Sequence, residues 1–367
     1  MDDRLESAAL APKSTLTLKR QLLFWSGTLL VFILLLWLLS DVLLPFVAGI
    51  GLAYLLDPLV QQLQRLGLPR ALAALLIMAA AIVIIVLGVM LLTPVLAEQI
   101  SAFVKGLPQD IEKVQKLFDE FKQTWLGQAV QEQLPQAQQS LGGIASAIGG
   151  WLSGFASSLW SGGKSVVSVI SIFVIAPIVA FYLLLDWDRM VAAIDTWVPR
   201  QHQQTVRAIA SDINDAISGF LRGQALCCLI LGSFYAIALK MIGLNFAILI
   251  GLGAGMLGFI PYVGTTTGFL VSTAVAIAQF YPNWGSILMC SGVFVAGQVV
   301  EGNVLQPYLV GSRTGLHPVW LMFALFAFGY LLGFVGLLIA VPVAAAIGVI
   351  MRFLLRQYLA SPYYTGA

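Results

Sequence analysis

Apolar runs alternate with short polar breaks along almost the whole chain, and their lengths set the first expectation. After a polar arm carrying Arg4, Lys13, Lys19 and Arg20, positions 22–39 are almost wholly apolar. A helix crosses the roughly 30 Å of bilayer hydrocarbon with about 20 such residues. Asp41 interrupts the pattern, and a second run, 42–56, contains Pro45 and ends at Asp57-Pro58. The two runs read as a helical hairpin or as one broken span, the hairpin being preferred. The first run lacks a cleavage site and leads into further apolar segments, so it is expected to stay attached as a signal anchor. Further runs lie at 71–92, 166–185, 221–239, 246–260, 268–280, 287–300, 318–332 and 335–351. Several are too short for an upright crossing and suit tilted, re-entrant or broken helices. The expected fold is all-α, a polytopic integral membrane protein with 8–10 membrane segments.

Two regions break this rhythm. From Pro108, the residues Ile111, Val114, Leu117, Phe118, Phe121 and Trp125 recur at helical spacing with charges between them, predicting an amphipathic helix that opens at the proline. The Gln-rich and then Gly/Ser/Ala-rich stretch after it suits a weakly apolar helix at the bilayer surface. Between Asp186 and Arg222, Val206, Ile209, Ile213, Ile217 and Phe220 mark a second amphipathic helix, lying along the membrane or packed on a neighbour, with a mobile gate as the alternative. The expected layout is an N-terminal arm (1–21), first membrane segments (22–96), an outer helical region (97–165), a membrane helix (166–185), an inner amphipathic region (186–222), a membrane core (223–356) and a tail (357–367).

Composition narrows the class. Of 367 residues, 59% are hydrophobic and 10% charged, against about a quarter charged in soluble domains. The net charge of +2 offers no basic field for nucleic acid. Cys227, Cys228 and Cys290 lie in apolar runs at no metal or redox spacing, and His202 and His317 are the only histidines, so no metal or cofactor is implied.

Charge also orients the chain, because cytoplasmic loops collect Lys and Arg. With the N-terminus inside and ten crossings, thirteen of the 19 basic residues are cytoplasmic: Arg4, Lys13, Lys19, Arg20, Arg65, Arg70, Arg189, Arg200, Arg207, Arg222, Arg313, Arg352 and Arg356. Five of the other six fall in the long 93–165 loop, where charge carries little orienting weight. Both termini and 186–222 are therefore expected in the cytoplasm, and 93–165 outside.

Few motifs carry chemistry. Gly253-Ala254-Gly255-Met256-Leu257-Gly258 matches GxGxxG, but no strand precedes it and no acidic residue follows at the ribose-binding distance. Gly251 with Gly255 or Gly258 reads instead as a face for close helix packing. No positioned nucleophile and base and no HExxH motif is present, which argues against an enzyme.

Glu301 is the sole side-chain carboxylate after Asp215, and it sits among Gln298, Gly302, Asn303, Gln306 and Pro307 at the end of an apolar run. Gly302 and Pro307 suggest a helix break. An ionisable residue there is a functional-site candidate, with a structural pair to Arg313 as the alternative. A second break is expected over 258–267, where Pro261 and Tyr262 precede three threonines. The two breaks are expected to share a polar pocket, with Gln298, Asn303 or Gln306 as partners of Glu301. Asp57 and Arg222 are lesser candidates and read more simply as interfacial anchors.

At these residues the chain resembles the autoinducer-2 exporter family of PerM-like bacterial permeases. The matching stretches are Leu52-Ala53-Tyr54-Leu55-Leu56-Asp57-Pro58-Leu59-Val60, Gly243-Leu244-Asn245, Phe259-Ile260-Pro261-Tyr262-Val263-Gly264, Glu301-Gly302-Asn303-Val304-Leu305-Gln306-Pro307 and His317-Pro318. The resemblance implies an inner-membrane secondary permease that exports a small polar solute such as autoinducer-2, or exchanges sodium or lithium for protons. A non-transporting scaffold or regulator is the alternative of another class. The expected partners are the lipid bilayer, a small polar solute or monovalent cation, and further copies of the chain in a homo-oligomer, with no nucleic acid. The expected pathway residues are Glu301, Asn303, Gln298, Gln306, Pro261, Tyr262, Arg313 and Asp57.

Overall fold

The computed structural model describes residues 38–122, 164–310 and 317–365, with isolated positions outside these stretches. Every described element is helical: α1 (Ser40–Arg65), α2 (Arg70–Lys122), α3 (Lys164–Trp197), a 3₁₀ turn (Arg200–His202), α4 (Gln203–Ile242), α5 (Ala247–Leu257), α6 (Val263–Phe280), α7 (Trp284–Val300), a π-helical stretch (Glu301–Val310), α8 (Pro318–Leu359) and the short α9 (Pro362–Thr365). Among the described residues, six helices are long and apolar enough to cross a membrane, and α5 is a shorter apolar helix.

The expected boundaries fare differently. The first run, 22–39, lies only partly within the described residues, and α1 starts at Ser40 behind Leu39, which leaves helical geometry at φ −97°, ψ 10°, so a boundary stands close to Asp41. Pro108 opens no new helix, since α2 runs through it for 53 residues, about 80 Å at 1.5 Å per residue. The span at 71–92 and the start of the outer amphipathic region are thus one rod; Trp125 and the Gln- and Gly-rich stretch lie outside the described residues. The inner region likewise divides. Asp186–Trp197 completes α3, and the amphipathic residues from Val206 onward form the first half of α4, a 40-residue helix of about 60 Å. Its Ile209 and Ile213 pack against Ala345 and Val349 of α8, the neighbour-packed alternative.

The cores explain the arrangement. Ala53 and Val60 of α1, Ala73, Ala74 and Met78 of α2, and Ala180 and Leu184 of α3 form one cluster. A second joins α4, α5, α6 and α7 through Leu231, Tyr235, Leu239, Ile250, Ala254, Ala276, Cys290 and Phe294, with Ile100 and Phe103 reaching in from the far half of α2. The length of α2 therefore lets it belong to both.

Close backbone approach makes the second unit. A Cβ on Gly255 would lie 2.8 Å from the Cys228 carbonyl oxygen and one on Gly251 would strike the backbone of Ala236, so α5 folds back along α4 on a small-residue face. Gly243, at φ 85°, ends α4, and Gln279 of α6 clamps the turn by donating to the Gly243 carbonyl and accepting from Asn245 N–H, each at 2.8 Å. At Gly333 (φ 59°, ψ −135°) α8 leaves helical geometry. Gly329 then faces Leu337 and Gly336 faces the Phe328 carbonyl, although eight residues of straight helix would separate them by about 12 Å. The chain thus reverses there, in keeping with two expected segments at 318–332 and 335–351.

Candidate functional site

The chain between α5 and α6 turns at Gly258–Tyr262, with Tyr262 in the left-handed region at φ 67°. That conformation is uncommon for a residue with a side chain. The break is shorter than expected, since Thr265, Thr266 and Thr267 already lie in α6 and the Thr267 hydroxyl bonds the Val263 carbonyl at 2.6 Å.

No break occurs at Gly302. Helix α7 instead widens into a π-helix over Glu301–Val310, with Gly302 and Pro307 inside it. Proline has no N–H to give to the preceding turn and its ring crowds that carbonyl, and a π-bulge is one way for a helix to absorb both defects. Gln306, an expected partner of Glu301, is exposed on this stretch. Asn303 turns elsewhere, its amide donating to the Val299 carbonyl at 2.9 Å. Gln298 is exposed, and Arg313 with its expected ion pair lies outside the described residues.

Glu301 itself is buried, at 8% exposure. It lines a cavity of about 10 Å³ together with Tyr262 and Thr265 from the α5–α6 region and Gln224, Cys227, Cys228 and Tyr235 from α4. The structure therefore brings Tyr262 and Glu301 into one pocket, while Pro261 shapes the turn without lining the cavity. Gln224, 5% exposed, donates its amide to the Gly258 carbonyl at 2.6 Å, capping the end of α5. Gln224 and Tyr235 were not among the expected site residues. A glutamine inside the apolar run at 221–239 was a usable signal; nothing in the sequence distinguished Tyr235 from an ordinary packing aromatic.

Asp57 belongs to a different place. It lines a larger cavity, about 180 Å³, between α1, α2, α3 and α4, with Tyr54, Trp187, Asn214, Arg70 and Arg222. The guanidinium groups of Arg70 and Arg222 stand 4.0 and 3.9 Å from its carboxylate, beyond hydrogen-bond distance, and Gln61 donates to it at 2.7 Å. Each arginine is anchored by its Nε on a main-chain carbonyl, Arg70 on Leu184 at 2.7 Å and Arg222 on Tyr54 at 3.0 Å. Arg70 also pairs with Asp188. Arg222 thus ties α4 to α1, and the Tyr54 and Trp187 rings meet edge to face at 5.8 Å.

A buried carboxylate beside a helix turn, with a separate polar cavity, is an arrangement suited to moving polar species across a membrane. Comparison with known proteins agrees: residues 27–356 match the family described as AI-2E family transporter. The chain belongs to that family. It is 29% identical over 325 residues to "Putative transport protein YrrI" of Bacillus subtilis, covering 88% of this chain and 89% of the relative. With "Putative permease PerM" of Escherichia coli K12 it shares 25% identity over 326 residues, 85% and 87% of the two chains. "Putative transport protein sll0060" of Synechocystis is 29% identical over 317 residues, 83% and 84%. The family match and the six apolar helices make this AI-2E family member a multi-pass membrane transport protein.

Proposed function

We propose that the chain is a secondary permease of the bacterial inner membrane that exports a small polar solute, with an autoinducer-2-like signal as the first solute to test. The observation that carries this reading is Glu301, a buried carboxylate at the start of a π-helical stretch that lines one cavity with the α5–α6 turn. A carboxylate in apolar surroundings alternates between charged and protonated forms only as its partners change, which lets a proton or ion gradient drive a conformational cycle. The 180 Å³ cavity at Asp57 gives a small polar solute room, with aromatic rings and both hydrogen-bond donors and acceptors.

One observation favours a second reading. The cavity at Glu301 is about 10 Å³, which suits a proton or a dehydrated monovalent cation and not an organic solute, so sodium or lithium exchange for protons is the alternative. Flux into proteoliposomes under an imposed pH gradient separates the two, with autoinducer-2 and sodium as the compared cargos. Export predicts solute uptake that collapses in Glu301→Gln while folded protein is retained. Sodium flux without solute flux selects the antiporter, and neither flux removes the transport reading of this site.

A further inference from the structure

Tyr235 carries the most unusual group in the core. Its side chain is 1% exposed and stacks on Phe294 at a centroid distance of 4.4 Å, yet its hydroxyl has no hydrogen-bond partner among the described protein groups. A buried hydroxyl without a partner costs free energy comparable to a lost hydrogen bond, which is why such groups are nearly always satisfied by protein or ordered water.

The hydroxyl lies against Gly297, where a Cβ would collide with the Tyr235 Cε1 and Oη. Gly297 and Glu301 are four positions apart on one helical face, about 6 Å along the axis. Two hydrogen bonds of about 2.8 Å laid end to end cover nearly that distance. Tyr235 and Glu301 line the same cavity, whose volume of about 10 Å³ matches one water.

We infer that this cavity is a binding site for a single ordered water that accepts a hydrogen bond from the Tyr235 hydroxyl and donates one to the Glu301 carboxylate. Tyr235 is then a positioning residue that favours the charged form of Glu301 through that water. This deepens the reading of Glu301 as the coupling group and rests on it. The other titratable groups lining the cavity are Cys227 and Cys228 of α4 and Tyr262 of the turn, and among the described residues no lysine or arginine does so. Gly297 has a role here as well, since any side chain would fill the hydroxyl's place.

Tyr235→Phe tests the bridge because it keeps the ring and its stack and removes only the oxygen. Infrared titration of the purified protein in vesicles follows the protonated-carboxyl band that Glu301→Gln abolishes. In Tyr235→Phe the midpoint of that band should move up by about one pH unit, the scale of one hydrogen bond to a charged group. The pH profile of flux should move with it, and in the Glu301→Gln background Tyr235→Phe should change neither. An unmoved or lowered midpoint overturns the bridge, as does a wild-type protein with no band attributable to Glu301. If the midpoint moves as expected but no coupled flux is found, the water site stands and the transport role of Glu301 falls.

Discussion

Gln224, midway along α4, donates its side-chain amide to the carbonyl of Gly258 at 2.6 Å, joining the helix that runs through the second core to the turn beside Glu301. The bond accounts for a carbonyl freed where α5 ends, in a setting where water is scarce. Gln224→Leu keeps the volume and leaves that carbonyl without its donor. Stability should fall by about 1–3 kcal/mol. Thermal unfolding in detergent measures the loss, and flux per folded molecule should fall with it because the turn is no longer held.

The α4–α5 interface makes a prediction with opposite signs at neighbouring glycines. Gly255→Ala places a methyl 2.8 Å from the Cys228 carbonyl oxygen and 2.9 Å from the Gly232 nitrogen, so the helices must separate. Overpacking of this kind costs about 1–3 kcal/mol. Gly253→Ala meets nothing within 4 Å and should gain up to about 1 kcal/mol of helix propensity. Equal melting temperatures for the two variants would refute the packing argument.

Arg222 and Asp57 separate a hydrogen bond from an ion pair. The charges are 3.9 Å apart and partly solvated, whereas the Arg222 Nε bonds the Tyr54 carbonyl at 3.0 Å. Partly exposed pairs contribute at most about 1 kcal/mol. Arg222→Ala should therefore destabilise more than Asp57→Asn, and Arg222→Lys should behave like the alanine variant because an ammonium lacks the fork that reaches both groups. Denaturation of the three variants side by side checks the order.

At the end of α3, Asp195 accepts from Arg207 at 2.8 and 2.5 Å and from Gln203 at 2.9 Å. The Arg207 hydrogen bonds hold the Asp195 carboxyl below its ordinary range. A carboxyl lowered on folding contributes stability above its unfolded value of about 3.9, and loses it as pH falls through the folded value. The stability gap between wild type and Asp195→Asn should be constant from about pH 7 to 5 and shrink below about pH 4. Added salt should narrow it, since Arg207 is exposed and Asp195 partly so. A gap that widens on acidification would contradict the assignment.

The orientation proposed from the basic residues is open to chemical labelling. With Cys227, Cys228 and Cys290 replaced, a single cysteine at Gln115 should react with a membrane-impermeant reagent in cells whose inner membrane is intact, and one at Arg189 only after it is opened. The reverse pattern would invert the topology and place the Asp57 cavity on the other side.

The chain's own pattern determined the fold class and most helix positions, because apolar length and the need to satisfy every backbone group within lipid leave few alternatives. It also marked Gly251 and Gly255 as a packing face and Glu301 as the ionisable group of interest, since both signals are local. What it left open depended on contacts between distant segments. Whether Pro108 opened a helix was decided by continuous backbone bonding, and whether Pro307 broke one was decided by a π-helical turn that absorbs the ring. Asn303 turns back onto the Val299 carbonyl and not onto Glu301, which nearness in sequence does not reveal. Gln224, Tyr235 and Gly258 meet Glu301 only because α5 folds back on α4, and Asp57 is carried to a separate cavity by α1 and α3. A side chain's partners in a helical membrane protein are set by which faces pack together, and that information lies in the tertiary structure.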